Sequence, residues 1–232
     1  MNLREYRRLL QIAVLLACLL FWLGIIRLIA SCTSEPPPVV VTTTTSTTTT
    51  LASPKHALAP LSWEAGHDER LEWSNYLFGL TSGYYFVALD GAADWKTFCA
   101  NYDSLSLEQR ATVMAELFSA LAFFESGWHQ DSVSIDVGNK LDKSTWSIGL
   151  LQVSQADSQN KMLAYSYDQL LTAKPNLHLG VETMAQQIKV RDKVVLDNTD
   201  SKRYWSTLLI GNKYSKVKEV AAMTGKLSFC KK

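Results

Sequence analysis

The chain has 232 residues, with 23 lysines and arginines set against 22 aspartates and glutamates, for a formal net charge of +1. So even a balance lacks the basic excess that a nucleic-acid partner calls for, and it suits a neutral polymer as substrate. The four histidines, His56, His67, His129 and His178, are scattered and no CxxC pairing occurs, so neither a metal centre nor a cofactor is expected.

At the N-terminus Arg4, Arg7 and Arg8 precede an apolar stretch over 9–26 that only Gln11 interrupts as a polar residue. Basic flank and apolar length are shared by export signals and by spanning anchors, so both readings stand. The stretch ends in Ile29-Ala30-Ser31-Cys32, which resembles the lipobox of bacterial lipoproteins. That resemblance implies acylation at Cys32. With the basic flank held in the cytoplasm, either route leaves the remainder of the chain on the outer, periplasmic face of the membrane. Residues 1–32 are therefore taken as signal or anchor, with the membrane as a partner. Next, Pro36-Pro37-Pro38 and a threonine tract over 42–50, broken only by Ser46, carry too little apolar area to offset ordering entropy. Residues 33–55 read as a disordered tether with a reach of about 3 Å per extended residue.

From residue 56 to 232 the composition becomes that of a single globular domain. Charged residues alternating with Trp63, Leu71 and Trp73 predict a short amphipathic helix between Trp63 and Asn75. The run Gly83-Tyr84-Tyr85-Phe86-Val87-Ala88-Leu89 fits a buried strand or a helix, and periodicity does not separate them. Cys99 and Cys230 remain once Cys18 and Cys32 are assigned to the N-terminal segment. In an oxidising compartment they form a candidate disulfide, with two buried free thiols as the alternative.

Ser106 followed by Gln109 is a capping-box pattern, and Leu107, Ala111, Met114, Leu117, Leu121 and Phe124 recur behind it at helical spacing. A nearly all-buried helix should run from there to Gly127. Glu125 falls in its last turn, where the helix dipole and the neighbours Phe123, Phe124 and Trp128 disfavour a carboxylate. A raised pKa is what a general acid needs at neutral pH.

Three blocks then follow in order: Glu125-Ser126, Ser147-Ile148-Gly149-Leu150-Leu151-Gln152, and Pro175-Asn176-Leu177-His178-Leu179-Gly180-Val181. Together they resemble the soluble lytic transglycosylase domain family, over roughly 107–193. The resemblance implies a mainly α, lysozyme-like domain with at most a small β excursion after Gln130. It also implies peptidoglycan glycan strands as substrate and cleavage of the MurNAc–GlcNAc bond to a 1,6-anhydro product. Glu125 would be the catalytic acid and base, and Ser126, Gly149, Gln152 and Asn176 the glycan contacts. Read on their own chemistry, Gly149 permits a close backbone approach, Gln152 offers both a donor and an acceptor, and Asn176 after Pro175 is a good helix N-cap.

The chain departs from the family where an Ala-x-Tyr-Asn-x-Gly block is expected. If Gly211 corresponds to its glycine, Leu208 and Leu209 stand in place of Tyr and Asn, and Tyr204 and Tyr214 are the hydroxyls left nearby. Two alternatives therefore stay open: lysozyme-type hydrolysis with Asp131 or Asp136 as second carboxylate, and a glycan-binding envelope protein without catalysis. The charged segment 132–145, with Asp136, Asn139, Lys140, Asp142 and Lys143, reads as a mobile loop beside the cleft whose charges are solvated.

Overall fold

The computed structural model describes residues 59–231 apart from 136, 137, 139 and 202. The anchor, the tether and Cys32 lie outside the described residues, as does Asp136. Among the described residues no helix is long and apolar enough to cross a membrane. The fold is mainly helical, with α1 (Leu71–Ser82), α2 (Phe86–Asp90), α3 (Leu107–Ser126), α4 (Gln155–Asn160), α5 (Tyr167–Leu170), α6 (Ala173–Arg191) and α7 (Val217–Thr224).

Helix α3 is the axis of the domain. The Ser106 hydroxyl accepts from the Gln109 N–H and the Gln109 carbonyl oxygen accepts from the Ser106 N–H at 2.9 Å, so the expected capping box starts it. Its C-cap is Gly127, in the left-handed region at φ 63. Every residue from 111 to 122 is buried, and α1 and α7 pack against it. Such all-round burial makes an axis of about 30 Å on which site residues can be fixed.

The polar residues of α3 hold the incoming chain. Glu116, only 2% exposed, accepts from the Ser62 N–H at 2.9 Å and from the Ser62 hydroxyl, while Ser119 accepts from the Trp63 N–H at 3.3 Å. Burial pushes the Glu116 carboxyl up to about 7, against the opposing pull of the Ser62 hydrogen bonds. Trp63 is fully buried and its indole donates to Ser74 at 2.7 Å.

Two local readings are corrected. Between Trp63 and Asn75 the chain makes two 3-10 turns, Ser62–Glu64 and Asp68–Arg70, and the α-helix starts only at Leu71. The turn through Ala65 and Gly66 breaks the run that charge alternation had suggested. The second correction concerns α6, which begins at Ala173 with Thr172 as its N-cap residue, so Asn176 lies inside the first turn and caps nothing. Pro175 is tolerated there because a first-turn N–H has no intrahelical acceptor. The open segment 83–89 resolves as a turn leading into α2.

The β excursion is a two-residue antiparallel pair, β1 (Val133–Ser134) with β2 (Ser147–Ile148), in the register Val133↔Ile148 and Ser134↔Ser147. A second, unforeseen pair is parallel: β3 (Leu196–Asp197) with β4 (Leu209–Ile210). It fixes the segment around Thr207. Cys99 and Cys230 are joined, 131 residues apart in sequence, tying the C-terminal tail to the entry of the domain. On the chain-entropy account, closing a loop of that length stabilises the fold by about 5 kcal/mol.

Candidate active site

The last turn of α3 and the turn 149–152 are fastened by a hydroxyl. Ser126 Oγ donates to Leu150 O at 2.9 Å, having also the Ala122 carbonyl within 3.0 Å. The turn itself is closed by the backbone pair Ile148 and Val153, whose N–H groups each bond the other's carbonyl at 2.9 and 3.1 Å. Its far side rests on α6. Asn176 is fully buried, accepts from the Leu151 N–H at 2.8 Å, and donates to Ile148 O at 2.7 Å and Leu170 O at 2.9 Å.

The two glycines of these blocks are needed for that approach. A Cβ on Gly149 would stand 2.2 Å from Asn176 Nδ2 and 2.5 Å from Leu170 O, at a backbone φ of +73. One on Gly180 would stand 2.2 Å from Leu151 Cδ1. Gly149, Asn176 and Gly180 therefore form a backbone-to-helix joint that aims the turn outward.

What the turn presents is a cleft of about 510 Å³ lined by Glu125, Gln152, Asp157 and Trp205 and by the hydroxyl groups of seven residues: Ser132, Ser134, Thr145, Ser147, Ser154, Tyr204 and Ser206. No lysine or arginine is among these lining residues. Glu125 is partly buried, and Thr207 Oγ1 donates to its Oε1 at 2.5 Å. Burial raises its pKa above the ordinary carboxylate range, and the Thr207 hydrogen bond pulls the other way. The first effect wins because the one bond is to a neutral hydroxyl and, among the described residues, no cation partners the group. The result is an acid that keeps its proton to higher pH in a cleft rich in hydroxyl-bearing residues.

Of the residues expected from sequence, Glu125 and Gln152 line this cleft and three others do not. Gln152 spends its amide within the protein, donating to Gly149 O at 2.9 Å and Ser132 O at 3.3 Å, so its carbonyl oxygen is the end left for a ligand. Ser126, Gly149 and Asn176 are not among the lining residues, and their polar groups and close approaches are used to hold the turn. Asp131 is exposed and outside the lining. Among the described residues no group of three His, Cys, Asp or Glu side chains is placed to hold a metal ion.

Several cleft residues carried no clear sequence signal. Thr207 is 82 residues from Glu125, and nothing local marks it. A tyrosine does reach the cleft: Tyr204, whose hydroxyl donates to Asp157 Oδ2 at 2.5 Å, while Tyr214 is 59% exposed elsewhere. Burial and the neighbouring Asp157 carboxyl hold the Tyr204 phenol protonated well above its usual range. Leu208 and Leu209, which the sequence placed opposite the family's Tyr and Asn, are core residues. Asp157 was findable, because Ser154 and Asp157 form a second capping box, at the start of α4.

A family model described as Transglycosylase SLT domain matches residues 104–204, a span holding Glu125, the turn 149–152, Asn176 and Tyr204. The chain carries a transglycosylase SLT domain. Among solved structures, the wild-type form 2 of Bd0314 DslA aligns with a TM-score of 0.62 at 25% identity, covering 75% of this chain and 98% of that one. Two single-site mutants of the same protein align with TM-scores of 0.62 and 0.63, at 25% and 24% identity, each over 74% of this chain and 97% of the other. No curated protein matches the chain. The SLT match stops short of Cys99, Thr207 and Cys230, so the disulfide and the residue bonded to the acid belong to parts of the chain outside it.

Proposed function

We propose that this SLT domain cleaves the MurNAc–GlcNAc bond with Glu125 as its single acid and base, releasing a 1,6-anhydro product, and that the N-terminus tethers it to the membrane on the periplasmic face. Glu125 gives its proton to the glycosidic oxygen as the bond to C1 breaks. The carboxylate then takes the proton of the muramoyl C6 hydroxyl as that oxygen bonds to C1. Proton and bonds balance within the substrate, and no water is consumed.

The observation that carries this reading is the environment of Glu125. The residue has a pKa raised by burial, one hydroxyl partner among the described residues, and a cleft that is rich in hydroxyl-bearing residues and holds no lysine or arginine, which suits a glycan. The alternative of a binder without catalysis was motivated by the missing Tyr-Asn block, and a tyrosine in the cleft, Tyr204, favours the catalytic reading. Tethering rests on the apolar stretch 9–26, Cys32 and the Pro/Thr-rich spacer.

Mass analysis of the products from purified sacculi tests the chemistry. Anhydro-muropeptides, lighter by one water than their reducing counterparts, are expected, and reducing muramic ends would instead assign hydrolysis.

A further inference from the structure

Asp157 has more hydrogen-bond capacity than its place in the fold uses. It sits in the first turn of α4, and its Oδ2 accepts from the Ser154 N–H at 3.2 Å, the Ser154 hydroxyl at 2.5 Å and the Tyr204 hydroxyl at 2.5 Å. All three donors converge on one oxygen. A capping box accounts for the Ser154 bonds. It does not account for Tyr204, which comes from 47 residues away and spends its only donor here, in the cleft. Oδ1 has no protein partner among the described residues and is not among the buried unpaired atoms, so it keeps some exposure on a residue that lines the cleft. No lysine or arginine among the lining residues neutralises it.

A carboxylate fixed by three donors on one oxygen is rigid, and its second oxygen accepts and never donates. In a cleft lined mostly by residues whose hydroxyls can turn either way, it is, with the Gln152 carbonyl oxygen, a fixed acceptor able to impose a direction on a ligand's donor. We propose that Asp157 is a substrate-recognition residue, whose Oδ1 accepts from a hydroxyl or acetamido N–H of the sugar bound beside Glu125, and that Tyr204 is the positioning residue that orients it. The proposal rests on reading the cleft as a glycan site. It assigns Asp157 no proton transfer, so it is separate from the acid and base role of Glu125.

The test uses the full chain carrying Glu125→Gln, so that ligand is not consumed, with the GlcNAc–MurNAc tetrasaccharide titrated by calorimetry. Adding Asp157→Ala should weaken binding about 10- to 100-fold, the range for one hydrogen bond to a charged group. Asp157→Asn, which keeps an acceptor without the charge, should fall between. Tyr204→Phe should weaken binding by roughly threefold to tenfold, because the carboxylate stays but is less constrained. With Glu125 restored, Asp157→Asn should raise KM and leave kcat within about threefold, the pattern of uniform binding. A residue that only capped α4 would lower the melting temperature without moving KM. If Asp157→Ala does not fold, Asp157→Asn and Tyr204→Phe, both close in shape to the parent, carry the test.

Binding by Asp157→Asn and Tyr204→Phe within twofold of the parent would overturn the proposal, as would failure of the Glu125→Gln parent to bind the tetrasaccharide. A collapse of kcat at unchanged KM would also overturn it, by giving Asp157 a part in the chemistry. A parent that binds, beside a wild type that releases nothing from sacculi, would refute the reaction and leave the recognition role standing.

Discussion

Replacing Asn176 with alanine should unfasten the turn that carries Gln152 while touching nothing in the cleft. The Asn176 amide supplies the sole side-chain partners of three buried backbone groups: the Leu151 N–H, Ile148 O and Leu170 O, at 2.7 to 2.9 Å. Ile148 O keeps the Val153 N–H at 3.1 Å, so the Leu151 N–H and Leu170 O are the two groups left unpaired. Each costs about 1–3 kcal/mol, and the two share one cavity, so relaxation makes the sum less than additive. A loss of roughly 2–5 kcal/mol follows, which in a domain of this size is a drop in melting temperature of roughly 5–20 °C. Urea denaturation followed by tryptophan fluorescence measures the first, and calorimetry the second. Activity per folded molecule should also fall, because the Leu151 backbone moves with the turn. Asn176→Asp sharpens the test. It keeps the acceptor for Leu151 but turns an oxygen toward two carbonyls, so its stability should recover as pH falls and the carboxyl gains a proton. If Asn176→Ala costs less than about 1 kcal/mol, the joint between α6 and the turn does not hold the site.

Thr207→Val removes the hydrogen bond that opposes burial at Glu125 without changing side-chain shape. The Glu125 pKa should move further up, the basic limb of the pH–rate profile should move to higher pH, and kcat should fall roughly fivefold to tenfold for loss of one orienting bond. An unchanged profile would contradict the role given to Thr207. Glu116 is tested by stability. Its folded-state pKa of about 7 lies above the unfolded value, so folding takes up a proton between the two, and the stabilisation present at low pH is lost as pH rises toward 7. Glu116→Gln should therefore flatten the pH dependence across that window and be more stable than wild type above it, by at most about 3 kcal/mol. Urea melts at pH 5 and pH 8 decide it, and a variant less stable at pH 8 would show that the charged form is the one Ser62 holds.

Local chemistry made helix α3 readable. Ser106, Gln109 and Gly127 mark its ends by capping rules that act within a few residues, and the spacing of Ala111, Met114, Leu117 and Leu121 reports burial directly. Glu125 was legible for the same reason, as an acid at the disfavoured end of a buried helix. Asn176 misled because Pro-Asn before an apolar face resembles a cap, whereas Thr172 already stands at the cap and the amide is claimed by backbone from 28 residues away. Gly149 misled likewise, since the close approach it permits is to Asn176 and to Leu170 O. Thr207, Asp157 and Tyr204 meet their partners only through the fold, by way of the β3–β4 pair and the cleft, and their sequence separation leaves no periodic trace. The capping-box rule that found Ser106 would have picked out Asp157, though not Tyr204 above it.

The central claim is that one carboxyl, Glu125, performs the cleavage. Full-length wild type and Glu125→Gln, each incubated with purified sacculi and compared for release of soluble muropeptides, test it most directly. The variant should lose release by at least about a thousandfold, within the range for a general acid and base, while binding sacculi within about threefold of wild type. Release by Glu125→Gln above a tenth of the wild-type rate would place the chemistry on another residue.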